Sequence, residues 1–97
     1  MKVQELNSEQ LEKASSMLRA IAHPKRLSII KYLDNGKKLS VTEIHTLLDI
    51  EQSTTSHHLG ILKDKDVLGS IRDGKNSYYY LKHDQLSKII ECVSKCV

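Results

Sequence analysis

Between Ser40 and Lys63 the sequence reads SVTEIHTLLDIEQSTTSHHLGILK, two short helical patterns joined by a tight turn. Ser40 followed three residues later by Glu43 makes a capping box, in which each side chain satisfies an orphan backbone N–H of the first turn. Ile44, Leu47 and Leu48 then form an apolar stripe that Asp49 ends, and Ile50 is the single apolar residue of the turn, placed to plug the corner. The second helix is expected from Gln52 to Lys63. At about 100° per residue its side chains divide into two faces. Thr55, Leu59 and Leu62 fall on one side and should pack inward, while Ser53, Ser56, His57 and Gly60 fall on the other.

That outer face holds no hydrophobe. An ordinary solvated face carries Lys and Glu more often, whereas small, neutral, hydrogen-bonding groups suit the floor of a DNA major groove. Gly60 costs about 1 kcal/mol relative to Ala inside a helix, so its place on this face points to close approach by something. The plainer alternative is an undistinguished surface helix.

In chain order, a first helix is expected over 8–22, N-capped by Ser8, with Leu11, Ala14, Leu18 and Ile21 as its stripe and Met17 beside them. His23-Pro24 breaks the chain, because proline disfavours helical geometry in the residue before it. Pro24 then suits the first turn of a second helix running to about Asn35. Leu27, Ile30 and Leu33 form its core stripe, with Ile29 and Tyr32 alongside. Asn35-Gly36 is a helix stop, Lys37 and Lys38 follow, and Leu39 enters the paired helices. Beyond Lys63, Asp73-Gly74 between β-prone segments signals a hairpin, with Arg72, Lys75 and Asn76 at or near its tip. A last helix over 83–97 carries Leu86, Ile89, Ile90, Val93 and Val97, a row long enough to be better buried against a partner.

Ninety-seven residues make one domain, small enough for oligomerisation to help bury its apolar surface. Charged residues are 28% and hydrophobic residues 39%, which fits a soluble globular protein rather than a disordered one. No apolar run approaches the roughly 20 residues of a membrane span, and MKVQELNSEQLEK has no signal-peptide core; a cytoplasmic protein is expected. A net charge of +3 does not by itself establish nucleic-acid binding; what matters is whether the 15 basic residues gather on one surface. The absence of Trp and Phe argues against a large aromatic ligand pocket.

Three segments carry a family resemblance. QSTTSHHLGILKDKDVL resembles the recognition-helix signature of the ArsR/SmtB family of winged helix-turn-helix repressors, AIAHPKRLSIIKYL resembles its second-helix signature, and RDGKNSYYYL resembles its wing. They occur in order and cover about Ala20 to Leu81. The resemblance implies a mainly α fold with a small β-hairpin, ordered α-α-α-α-β-β-α. It also implies a homodimer whose interface is formed by the terminal helices, about 8–22 and 83–97, and DNA binding relieved by an inducer.

On this reading Gln52, Ser53, Thr54, Ser56 and His57 face the groove, with His57 and Gln52 as base readers and Thr54 turned toward a phosphate. Lys25, Arg26, Lys38, Lys63, Arg72, Lys75 and Asn76 are the wing and phosphate candidates; such contacts dominate affinity without conveying sequence. Arg26 is open to a second reading, an intrachain ion pair. For His58 the alternative to base contact is packing at the core boundary with a ring nitrogen satisfied locally. A two-fold dimer expects an imperfect palindrome in double-stranded DNA.

The family's thiolate metal motif is missing, since VTEIHTLLDI contains no cysteine, and its terminal-helix pattern of Asp and His stops after His83 and Asp84. No cofactor is required. Cys92 and Cys96, at i and i+4, remain as candidate inducer sensors. They are open to oxidation, to a soft metal ion held with a symmetry mate or His83, or to no role at all. An enzyme is the weakest class, because no nucleophile motif, phosphate loop or paired-carboxylate pocket occurs. A winged-helix module that binds protein is the stronger rival.

Overall fold

The computed structural model describes residues 2–97. Its helices are α1 (Ser8–Ile21), α2 (Pro24–Tyr32), α3 (Val41–Leu48), α4 (Gln52–Asp64) and α5 (Gln85–Ser94). Its strands are β1 (Leu39–Ser40), β2 (Leu68–Asp73) and β3 (Asn76–Leu81), and a short 3₁₀ turn spans Val3–Glu5.

Local sequence chemistry sets most of the boundaries. The Ser40–Glu43 capping box forms: Ser40 Oγ accepts the Glu43 N–H at 3.2 Å and Glu43 Oε1 accepts the Ser40 N–H at 3.0 Å. Pro24 opens α2, and Asn35 and Gly36 both take positive φ, 63° and 72°, which turns the chain away. That helix stops at Tyr32, earlier than Asn35, because the Leu33 N–H already divides between the Ile29 and Ile30 carbonyls at 3.1 and 3.2 Å. The cap of α1 lies at Asn7 rather than Ser8. Asn7 has Gln10 three residues on to complete a reciprocal box, with bonds of 2.8 and 3.0 Å, whereas Ser8 has Leu11 there and nothing to reciprocate.

The hairpin is part of a three-stranded antiparallel sheet ordered β1-β3-β2, with Leu39 opposite Tyr79 and Ser40 opposite Tyr78. β1 therefore adds a strand to the expected fold. Its two residues are too few to show an alternating pattern, and only the pairing with β3 makes them a strand. The hairpin closes with Asp73 opposite Asn76, leaving Gly74 and Lys75 as its two-residue loop. Gly74 has φ 63°, the positive value that the first central position of a type II′ turn requires. Gly69 faces Tyr80 across the ladder, and the Tyr80 ring occupies the space that a Cβ at this position would need.

The core lies where α2, α3 and α4 meet the sheet. Ile29, Ile30, Leu33, Ile44, Leu59 and Leu62 are fully buried, joined by Val67 and by Leu68, the first residue of β2. Thr55 is buried too, with its hydroxyl donating to the Glu51 carbonyl at 3.1 Å. Leu27 and Leu47, expected to pack inward, are exposed. So are Leu11, Leu18 and Val93, at 49%, 50% and 54%. Among the described residues no helix is long and apolar enough to cross a membrane.

Ser40 serves both the sheet and the cap of α3. Ser40→Ala should lower stability by about 1 kcal/mol, read as a shift in the urea midpoint with an unchanged slope.

Candidate nucleic-acid interface

Helix α4 is held from one side only. Thr55, His58, Leu59 and Leu62 are buried, and Gln52, Ser53, Thr54, Ser56, His57 and Gly60 are exposed. At about 100° per residue, Gln52, Ser53, Ser56, His57 and Gly60 share one continuous arc, with Thr54 at its edge beside the buried His58. The two-faced division expected from periodicity is therefore the division that packing produces. Gly60 has open space where a Cβ would stand, so no contact within the chain demands glycine there.

The turn before α4 is tight. Asp49 closes α3 in a left-handed conformation at φ 54°, an Asp-tolerant position. Ile50 is half-buried beneath the corner, and Glu51 starts α4 without a side-chain cap. The first N–H groups of α4 consequently point outward without a side-chain acceptor, at the end of the helix where an anion is favoured.

The basic candidates are not gathered equally. Arg72 precedes the wing loop and Lys75 lies in it; the Arg72 Nε–H donates to the Gly74 carbonyl at 3.3 Å, and Lys75 and Asn76 are exposed. Lys63 is exposed in the last turn of α4, and Lys25 is exposed in the first turn of α2. Lys38 is exposed immediately before β1, level with the base of the wing rather than its tip. Arg26 is turned inward. Its Nη1–H donates to the Ala20 carbonyl at 2.8 Å and its Nε–H to His58 Nδ1 at 3.2 Å. These two hydrogen bonds engage Nε and Nη1 within the chain, and neither partner is a carboxylate.

His58 is buried, satisfied by Arg26, and lies 4.7 Å from the His23 ring and 6.1 Å from the His57 ring between centroids. Burial pushes its pKa below the ordinary histidine value, and the nearby His23, Arg26, His57 and Lys25 push it the same way. A second polar cluster joins the wing to α5. Asp66, at φ 65°, pairs with Lys82 and accepts from His83 Nε2 at 3.3 Å. The hydrogen bonds from Lys82 and then His83 hold the Asp66 carboxyl below its usual range, and Asp66 raises Lys82. Sequence order gives no sign of this cluster, because it links the end of α4 to the end of β3 across the hairpin.

Cys92 and Cys96 are both exposed. Helix α5 ends at Ser94, so Cys96 lies beyond it rather than one turn along a continuous helical face. The Lys95 and Cys96 N–H groups bond to the Cys92 and Val93 carbonyls at 3.3 and 2.9 Å, a tightened final turn. Among the described residues no group of three or more His, Cys, Asp or Glu could hold a metal ion.

Known proteins share this arrangement. Residues 23–68 match the model of the bacterial regulatory protein arsR family. The chain is 34% identical over 87 residues to an HTH-type transcriptional regulator of Methanocaldococcus jannaschii, covering 90% of this chain and 98% of that protein. It is 37% identical over 84 residues to the transcriptional repressor PagR of Bacillus anthracis, covering 87% and 84%. The crystal structure of PagR superposes with a TM-score of 0.80 over 90% of this chain and 99% of that one, at 36% identity. HlyU from Vibrio cholerae superposes with a TM-score of 0.81 over 93% and 97%, at 27% identity. The relatives it matches are regulators of transcription rather than enzymes. With a helix-turn-helix whose second helix is anchored by its inner face alone, and a wing hydrogen-bonded into the same sheet, the chain belongs to the arsR family of bacterial regulatory proteins and is a winged helix-turn-helix DNA-binding transcriptional regulator.

Proposed function

We propose that this regulator is a cytoplasmic homodimeric repressor that holds an imperfect palindrome and lets it go when its C-terminal thiols react. The observation that carries the DNA side is the exposed arc of α4, whose residues are small, neutral and hydrogen-bonding. Gln52, Ser53, Ser56 and His57 read base edges in the major groove, and Thr54 reaches a flanking phosphate. Lys25, Lys38, Lys63, Arg72, Lys75 and Asn76 supply the sequence-independent contacts. Gly60 lets the groove wall come close.

Dimerisation is supported by unfinished burial. Leu18, Ile21 and Leu27 line an apolar hollow with Ile89, Ile90 and Val93, and two of the walls are α1 and α5, the first and last helices. The whole chain then serves as one winged domain, with 8–22 and 83–97 as its pairing surfaces. Two-fold pairing sets the recognition helices about one DNA turn, or about 34 Å, apart.

The inducer reading rests on the end of α5. In an intact helix, an i, i+4 disulfide would strain against the upper end of the range of about 4.4–6.8 Å between bridged Cα atoms. Here the helix has already ended before Cys96, and the Cys96 thiol sits 3.6 Å from the Cys92 carbonyl oxygen. Two thiols surrender two electrons and two protons to an oxidant such as a small disulfide, and the new bond reshapes the tail beside the pairing surface. A soft metal ion is the second reading; its two thiolates per chain fall short of a four-ligand site, and the partner copy would complete it.

Three measurements check this reading. A duplex selected from a random pool by the reduced wild-type chain should be an imperfect palindrome, and mild oxidation in metal-free buffer should weaken its binding by about tenfold or more. The loss should be absent in a Cys92→Ser/Cys96→Ser variant; an unchanged anisotropy titration removes the thiol reading and leaves Zn(II) as the next addition. Ser56→Ala/His57→Ala should lose about 1–3 kcal/mol of specific binding per base pair no longer read, with the circular dichroism spectrum unchanged. Gly60→Ala should raise helix stability by up to about 1 kcal/mol and weaken the same complex; equal or tighter binding would refute close approach at Gly60.

A further inference from the structure

One arginine ties three helices together. Arg26, in the first turn of α2, donates to the Ala20 carbonyl near the C-terminus of α1 and to His58 Nδ1 in the middle of α4. His58 is only 7% exposed, so water cannot readily replace that donor. A ring nitrogen that accepts a hydrogen bond carries no proton, so the imidazole in this contact is neutral. His23 Nδ1 also accepts a hydrogen bond, from the Lys25 N–H at 3.1 Å, and caps α2. The two rings lie 4.7 Å apart between centroids, each using its unprotonated nitrogen.

We propose that Arg26 and His58 form a positioning latch for the recognition helix, and that the latch opens when His58 takes up a proton, so that mild acid costs the protein its sequence selectivity. Protonated Nδ1 is a donor and meets another donor, the Arg26 Nε–H, while two cations face each other. The groups that act on His58 are His23, Lys25 and Arg26 from the start of α2 and His57 from its own helix. All four push in the same direction, and none of them is a carboxylate. Helix α4 keeps Leu59 and Leu62 in the core, so it shifts rather than melts, and Gln52, Ser56 and His57 move off their base edges. Lys63 and Lys75 still attract any duplex. Affinity for DNA in general persists, and discrimination falls.

The direction follows from which form makes the bond. Neutral His58 carries the latch and is favoured by the fold, so its folded pKa lies below the unfolded value. The latch's contribution to stability is complete above about pH 6.5 and diminishes as the pH falls from there toward the folded pKa, and within the folded chain the latch opens as the pH passes that lower value.

The inference rests on the DNA-reading role of α4, and one experiment separates the two. The full chain is titrated with a duplex that it selected from a random pool at about pH 8 and with a shuffled duplex, from about pH 8 to about pH 5.5 at constant ionic strength. If selection yields no preferred duplex, the DNA-reading role fails and the latch with it. With a preferred duplex, the ratio of the two affinities should fall about tenfold for each pKa unit of coupling in the wild type. His58→Asn offers Arg26 an acceptor oxygen that does not titrate, and should hold its own ratio constant across the range. A flat wild-type ratio, or an equal fall in His58→Asn, overturns the latch. A measurement on the wild type needs no variant: the Arg26 Nε–H resonance in ¹H–¹⁵N spectra should be lost in step with selectivity, and an unchanged resonance across that fall also overturns it.

Discussion

Burial of one face of α4 is the contact on which the working surface depends. Leu59 and Leu62 are fully buried among Ile29, Ile30, Leu33 and Ile44, and Thr55 enters the same interior with its hydroxyl returned to its own backbone. Each buried leucine contributes about 1.5–3 kcal/mol, enough to hold a short helix whose outer side contributes nothing to the core. That division of labour lets Ser53, Ser56, His57 and Gly60 be chosen for what approaches from outside. The glycine in particular weakens the helix, and packing within the chain gives no reason for it.

Polar contacts then fix the orientation that apolar contact leaves loose. Hydrophobic packing is non-directional, whereas Arg26 reaches α1 and α4 by hydrogen bonds with set geometry. Asp66 does the same for the wing, bringing the turn after α4 against Lys82 and His83 at the entrance to α5. The two devices differ in character. The Asp66 cluster is an exposed ion pair, worth little by itself, and it joins the wing to the entrance of α5. The Arg26 contact is part-buried and needs a neutral imidazole, which places a titratable group directly behind the reading face.

The terminal helices show where a 97-residue chain runs short of interior. Leu11 and Leu18 on α1 and Val93 on α5 stay about half exposed, while Leu86 and Ile21 reach the core from the same two helices. Each helix thus has apolar residues on more of its circumference than one small core can cover. A second copy is the economical cover, and it would put the end of α5 next to the pairing surface.

Much of this was legible in the residues themselves, and the division has a physical basis. Capping, proline placement, left-handed turn residues and helical periodicity act within a few neighbours, so the chain alone determined the Ser40 box, the start of α2, the turn at Asn35-Gly36 and the two faces of α4. Similar local chemistry located the wing, although pairing moved its loop to Gly74-Lys75. What depends on a distant partner could only be decided by the folded chain. β1 is a strand because β3 lies beside it, Arg26 points inward because the Ala20 carbonyl and His58 Nδ1 wait there, and Leu27 and Leu47 remain outside because the core fills without them. Periodicity ranks the faces of a helix, but only tertiary packing decides how many of its apolar residues find something to cover them.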